Sequence, residues 1–259
     1  MSFPKFRCRA LHAAALLLVA GASLMAQGRG GAAPAGPPPA PKAAATFDPT
    51  GYWVSLVTED WRYRMAVAPK GDVVGVPVSP DGKKVAEAWD PAKDEAAGEQ
   101  CRAYGVGGVM RLPTRLHITW QDDNTLKIET DMGKQTRLLH FNGAQGQGGD
   151  WQGVSVANWD RSIPVMGPGR GAVPPGGSLK VVTTKMKAGY LRRNGVPYSA
   201  NAVVTEYIDK MEHPNGDSLL VVATEVVDPA NLNTPFWTST HFKKQKDAAG
   251  WNPADCSAR

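Results

Sequence analysis

The 259-residue sequence predicts an all-β protein: an antiparallel β-barrel or strongly curved sheet with one short helix and long loops. Three observations carry this expectation. Short segments alternate apolar and polar residues with a period of two, the signature of a strand with one wet face. Turn-forming clusters separate the segments at hairpin distances, drawing on 28 glycines and 21 prolines. Repeated strand-then-helix units, which would signal a parallel α/β sheet, are missing from the pattern. So many antiparallel strands need two packed sheets or closure, and closure also removes exposed edges.

Before the strands come two segments of other composition. Residues 1–26 begin with Lys5, Arg7 and Arg9, continue with an apolar run from Ala13 to Ala20, and end in small residues up to Ala26. That is the layout of a secretory signal peptide. The apolar run is shorter than the roughly 20 residues of a membrane span, so no transmembrane anchor is expected after cleavage. The expected location is periplasmic or secreted. Residues 27–46 are a Gly/Ala/Pro-rich linker, with only Gly, Ala and Pro at 16 of the 19 positions 27–45. Such residues have little side chain to bury and read as a tether. A single β-rich domain is expected over 47–259, folded from about Phe47.

Within it, Tyr52–Val57, Arg62–Ala68 and Asp72–Val76 read as the first strands, with a turn at Pro69-Lys70-Gly71. The run at Val78 lies between prolines and reads as an edge strand at best. Asp90-Pro91 is a helix opening, a capping carboxylate followed by proline. The one helix is expected over Ala92–Tyr104, stopped by Gly105. Arg115–Trp120 and Leu126–Thr130 form the sharpest hairpin, turning at Asp122-Asp123-Asn124. Its register sets Ile118 opposite Ile128 and His117 opposite Glu129. Further strands are expected at Lys134–Phe141, Val154–Trp159, Leu179–Lys185, Ala202–Ile208, Leu219–Val227 and Phe236–Lys244. Two long stretches remain. Residues 142–178 hold ten glycines and read equally as a ligand loop or a surface insertion. Residues 186–201 contain Tyr190, Leu191, Val196 and Tyr198, which favour a flap packed on the body.

Charge and cysteines narrow the function classes. Without residues 1–26, 26 Lys and Arg face 24 Asp and Glu, a formal charge of +2 rather than +5. A nucleic-acid binder shows a denser basic footprint, so no nucleic-acid partner is expected. Loss of Cys8 with the signal leaves Cys101 and Cys256, which can form one disulfide in an oxidising compartment or remain free thiols.

Gly51 and Trp53, in the opening Asp48-Pro49-Thr50-Gly51-Tyr52-Trp53, form a G-x-W pattern that resembles the first strand of lipocalins and related calycin barrels. The resemblance implies a lipocalin-like barrel whose tryptophan closes one end while the other admits a small apolar ligand. Thr205-Glu206-Tyr207 resembles the T-D-Y element of that family, with glutamate in place of aspartate. The chain also resembles a family of exported bacterial β-rich proteins. Gly51–Trp53, the R-x-H-x-x-W-Q-D-D hairpin at Arg115–Asp123, and the D-P-x-x-L-x-x-P-F segment at Asp228–Phe236 carry that likeness.

The chain has no nucleophile elbow, phosphate loop, HExxH or dinucleotide fingerprint, so no cofactor is implied. The candidate catalytic groups are His117, Glu129, His140, Glu206 and His241, all on expected strands. Imidazole and carboxylate do acid–base or metal chemistry only where they converge; which metal, if any, the pattern leaves open. His117 beside Glu129 is either an oriented imidazole or a surface charge pair. Glu206 shares a face with Val204 and Ile208. It is a buried carboxylate needing a partner if that face points inward, and wet if Thr205 and Tyr207 do. The candidate ligand-binding residues are Trp53, Arg62, Arg64, Trp120, Tyr190, Arg192, Tyr198, Tyr207 and Trp237. Aromatic rings line apolar cavities or fill cores, and guanidinium groups offer paired donors to anions. The leading expectation is a barrel that binds a small, largely apolar molecule, an anionic one included. An enzyme acting on a small organic substrate in the same cavity, and an envelope scaffold making peripheral contacts, are the alternatives.

Overall fold

A computed structural model describes residues 37–161 and 176–259. The expected signal segment, the first half of the linker and residues 162–175 of the glycine-rich loop lie outside the described residues. The strands in chain order are β1 (Gly51–Leu56), β2 (Arg115–Asp122), β3 (Thr125–Thr130), β4 (Thr136–His140), β5 (Val154–Arg161), β6 (Gly177–Thr184), β7 (Gly189–Tyr190), β8 (Pro197–Tyr198), β9 (Val203–Glu212), β10 (Ser218–Val227) and β11 (Phe236–Lys244). Nine of them close a barrel in the order β1-β11-β10-β9-β6-β5-β4-β3-β2, while β7 and β8 form a separate small hairpin. This is the all-β barrel that the alternation predicts, and it is consistent with a lipocalin-like architecture. One seam departs from an all-antiparallel barrel: β4 and β5 pair in parallel, through Leu139↔Ser155 and His140↔Val156.

The β2–β3 hairpin has the expected register, with Ile118 opposite Ile128 and His117 opposite Glu129. The alternation it establishes continues around the barrel. Leu116, Ile118, Leu126, Ile128, Leu139, Leu179, Val181, Val222 and Phe242 all turn inward and are buried. At roughly 1.5–3 kcal/mol for each fully buried large apolar side chain, this filled interior is the main source of stability. The barrel's middle is thus occupied by its own side chains.

The strand directions place β1's start, the 123–124 turn and the 213–217 turn at one end, here the lower end. The upper end carries the 57–114 and 185–202 connections. Residues 57–114 form a cap built from three helices, α1 (Trp61–Arg64), α2 (Pro80–Ala88) and α3 (Pro91–Ala96), and two 3-10 turns. Val109 and Met110 of the cap enter the barrel's core cluster. The 186–201 flap packs into the same cap, where Leu191, Val196 and Tyr198 join Val106, Val204 and Phe236. Tyr198 lies so close to Gly105 that a Cβ there would sit 2.1 Å from its hydroxyl oxygen, so this glycine is required by contact.

Several expected elements differ. Arg62–Ala68 is not a strand: residues 61–64 are helical, entered through Asp60 in the left-handed region at φ 51°. Asp72–Val76 forms turns, and Val78 makes an isolated bridge to Leu232. The longest helix is α2, unanticipated from the sequence; Ser79 caps it by accepting from the Gly82 N–H, with Pro80 at its first position. The expected helix from Ala92 opens as predicted, Asp90 accepting from the Ala92 N–H, but ends at Ala96 just before Gly98, whose φ is +70°. Cys101 and Cys256 form a disulfide across a separation of 155 residues, joining the cap to the C-terminal tail. The described residues from Pro39 onward belong to one compact unit.

Candidate functional site

The lower mouth is crossed by residues 41–50, a strap held mainly through its backbone. The Trp159 indole N–H donates to the Pro41 carbonyl at 2.9 Å, and the Lys42 N–H donates to the Asp123 carbonyl at 3.1 Å. Arg161 Nη2 donates to the Ala44 carbonyl, and Thr46 Oγ1 to that of Gly177. Farther along, the Trp53 indole N–H donates to the Pro49 carbonyl at 2.9 Å, and Lys244 Nζ to that of Thr50. Lys244 also lies over the Trp53 ring, 4.8 Å from its centroid. Trp53 is fully buried in the core cluster near the lower end of β1.

Beneath the strap runs a chain of aromatic rings. Phe47 meets Trp159 edge-on at 5.2 Å, Trp159 stacks on Phe141 at 5.7 Å, and Phe141 meets Trp120 at 5.5 Å. All four pack on the core while remaining partly exposed. An open cleft of about 630 Å³ lies here, lined by Lys42, Ala45, Phe47, Asp48, Thr50, Thr119 and Trp120. That volume falls in the range of small-molecule sites. Burial pushes the Asp48 carboxyl up, but hydrogen bonds from the Thr50 N–H and Oγ1 and the charges of Lys244 and Lys210 outweigh it. The net result is a carboxyl below its ordinary value. Lys42 has no ion-pair partner among the described residues. The cleft therefore presents aromatic faces between the Lys42 cation and the Asp48 carboxylate.

The upper mouth is closed by a polar knot. Arg64 reaches down from α1, donating from Nε to the Arg111 carbonyl at 2.8 Å, from Nη2 to Ser55 Oγ at 3.0 Å, and from Nη1 to Glu59. Arg111 Nη2 pairs with Asp60 at 2.9 Å and lies over the Phe236 ring. Burial lowers the pKa of Arg64 against the opposing charge of Glu59. Below the knot, Glu206 (0% exposed) and Arg137 (1%) form a two-point ion pair inside the barrel, at 2.5 and 3.1 Å. Val204 and Ile208 share that inward face, which settles the direction left open by alternation.

The remaining candidates are dispersed. His117 Nδ1 lies 3.2 Å from Glu129 on the barrel's outer face, stacked on Tyr52 at 4.2 Å and flanked by Trp251. Glu129 also holds Lys127 at 3.0 Å. His140 is at the other end of the β3–β4 ladder, opposite Thr125, and lines a separate cleft with Gln152. His241 Nδ1 lies 3.4 Å from Glu59. The five proposed acid–base groups thus yield one adjacent pair, His117 and Glu129, with the other three apart. Tyr190 donates its hydroxyl to Asp94, and burial raises its pKa. Arg192 is buried, stacks over Tyr63 at 4.1 Å and donates to the Val74 carbonyl. Tyr198 is buried, and burial raises its phenol pKa. Tyr207 faces outward beneath Lys180, while Arg62 and Trp237 are exposed. Of the aromatic and arginine candidates, Trp120 alone lines the lower cleft.

Sequence reasoning missed Lys42, Phe47, Asp48, Thr50 and Thr119 as cleft residues and Arg137 as the partner of Glu206. Phe47, the first large apolar residue after the linker, was an available signal. Among the described residues, no group of three or more His, Cys, Asp or Glu side chains is arranged to hold a metal ion. Compared with known proteins, the chain matches no family model, and no curated protein or solved structure matches it significantly.

Proposed function

We propose that this is an exported barrel protein, distantly akin to lipocalins, that binds a small amphipathic molecule at its lower mouth. The ligand class is an apolar chain or ring carrying an anionic head. The observation that carries this is the cleft beneath the strap, where Phe47 and Trp120 offer apolar faces and Lys42 a cation. Such a guest would lie between the strap and the aromatic platform, because the middle of the barrel is filled by Leu116, Ile118, Val222, Phe242 and their neighbours. Burial of an alkyl chain against these rings supplies affinity, and the ammonium selects the head group. Export is supported by the composition of residues 1–26 and by the Cys101–Cys256 bond, which suits an oxidising compartment such as the periplasm or cell exterior.

Calorimetric titration of the purified protein with dodecanoate and with dodecanol tests the proposal. Saturable one-to-one binding of the carboxylate is expected, with the alcohol weaker. Trp120→Ala should weaken carboxylate binding by about tenfold or more, the loss of one aromatic anchor. Binding of neither compound, or binding indifferent to Trp120→Ala, contradicts the proposal.

A further inference from the structure

The upper cap carries an unusual concentration of exposed large apolar side chains. Trp61 is 68% exposed, Met65 56%, Val67 39%, Val74 67% and Trp237 55%. These residues come from distant parts of the chain, and residues beside them in sequence share partners at the upper end. Arg111 grips Asp60 and covers Phe236, so Trp61 and Trp237 leave the same knot as the next residue of each segment. Arg192 stacks on Tyr63 and donates to the Val74 carbonyl at 2.7 Å, which sets Val74 beside α1. Arg193 Nη2 lies 3.5 and 3.4 Å from the Arg64 and Met65 carbonyls.

The charge on this face has a direction. Glu59 and Asp60 are committed to Arg64, His241 and Arg111. Asp72 accepts from the Val74 N–H and makes a loose 3.7 Å pair with Arg62. Arg62, with 67% of its side chain exposed, stands outward with Lys70, while Arg193 is half-buried against the Arg64 and Met65 carbonyls and Glu225 lies opposite Trp237 on the neighbouring strand. Exposed tryptophans beside cationic side chains are the composition of a protein surface that sits at a membrane–water boundary. A two-fold contact with a second copy would bring this patch against itself and set Arg62 and Lys70 among like charges.

We infer that the upper face docks on an anionic membrane surface, with Trp61, Met65 and Trp237 entering the headgroup layer and Arg62 and Lys70 meeting lipid phosphates. The protein would then sit with its lower cleft turned to the water. Among the described residues, no helix is long and apolar enough to cross a membrane, so the contact is peripheral. This inference does not depend on the ligand-binding proposal.

Flotation of the purified protein with phosphatidylcholine vesicles, with and without a share of phosphatidylglycerol, tests it. Binding is expected to the anionic vesicles, to be at least about fivefold weaker on the neutral ones, and to fall as salt rises. Trp61→Ser with Trp237→Ser should reduce binding about tenfold or more, and Arg62→Glu about fivefold. These are surface positions, so thermal unfolding should hardly change, which separates lost docking from lost fold. Failure of the folded wild type to bind either vesicle overturns the inference. So does undiminished binding of the double variant. Sedimentation velocity showing a wild-type dimer that the double variant abolishes assigns the face to a second copy and overturns it equally.

Discussion

The two ends of the barrel are closed by different chemistry. The upper end is sealed by charged side chains that satisfy one another: Arg64 spends its guanidinium on Arg111, Ser55 and Glu59, and Arg111 answers Asp60. The lower end has Trp53 buried in the core and is covered by a strap whose ties run largely to backbone carbonyls. A polar knot excludes a guest because each group removed from a partner leaves another unsatisfied. A strap over half-exposed rings can admit one, since apolar contacts are easily exchanged for others. In a lipocalin-like barrel the end opposite the tryptophan is expected to admit the ligand. Here that end is plugged, and the open cleft lies beside the tryptophan instead.

The largest expected effect concerns the ion pair inside the barrel. Arg137→Leu strands a buried Glu206 and should cost about 3–5 kcal/mol in denaturant unfolding, whereas changing both residues to leucine should recover most of it. Removing the disulfide with Cys101→Ser and Cys256→Ser should cost about 2–4 kcal/mol by freeing the tail from the cap. At the lower mouth, Trp120→Ala should cost less than the ion-pair change and act chiefly on ligand binding, because its ring is already partly exposed. Equal stability losses at the two ends would erase the contrast between them.

Smaller effects appear in pH profiles. Tyr198 has a folded pKa raised above the ordinary 10.0 by burial, and its hydroxyl has no hydrogen-bond partner among the described residues. Its contribution is therefore fully present below pH 10 and lost as pH rises beyond it. Tyr198→Phe should stabilise the protein by about 1 kcal/mol at neutral pH and flatten the alkaline decline. Asp48 has the opposite sign: its lowered folded pKa favours the native state above the ordinary 3.8, an advantage lost as pH falls through the folded value. Asp48→Asn should make the acid limb of a stability profile slightly shallower.

The barrel was legible where one face is wet and the other dry. In β2, Leu116 and Ile118 alternate with Arg115, His117 and Thr119, and both the hairpin and its register followed. Val204 and Ile208 marked Glu206 as a candidate for burial, but nothing local pointed to Arg137 across the barrel. The cap was misread where short elements imitate strands. Arg62-Tyr63-Arg64-Met65 alternates like a strand, and a four-residue helix is too short to show its own period. The helix start at Ser79-Pro80, serine before proline, went unread behind the edge-strand reading of Val78. The strap escaped notice for a related reason: composition describes side chains, and the strap is tied by its carbonyls.

The most direct test is an amide and indole chemical-shift map recorded while dodecanoate is added to the isotopically labelled protein. The account predicts that the Trp120 indole N–H and the amides of Lys42 to Thr50 shift first and saturate together, with Leu116, Ile118 and Val222 nearly still. Shifts centred on those interior residues or on the Arg64–Arg111 knot, with the strap unmoved, would contradict it.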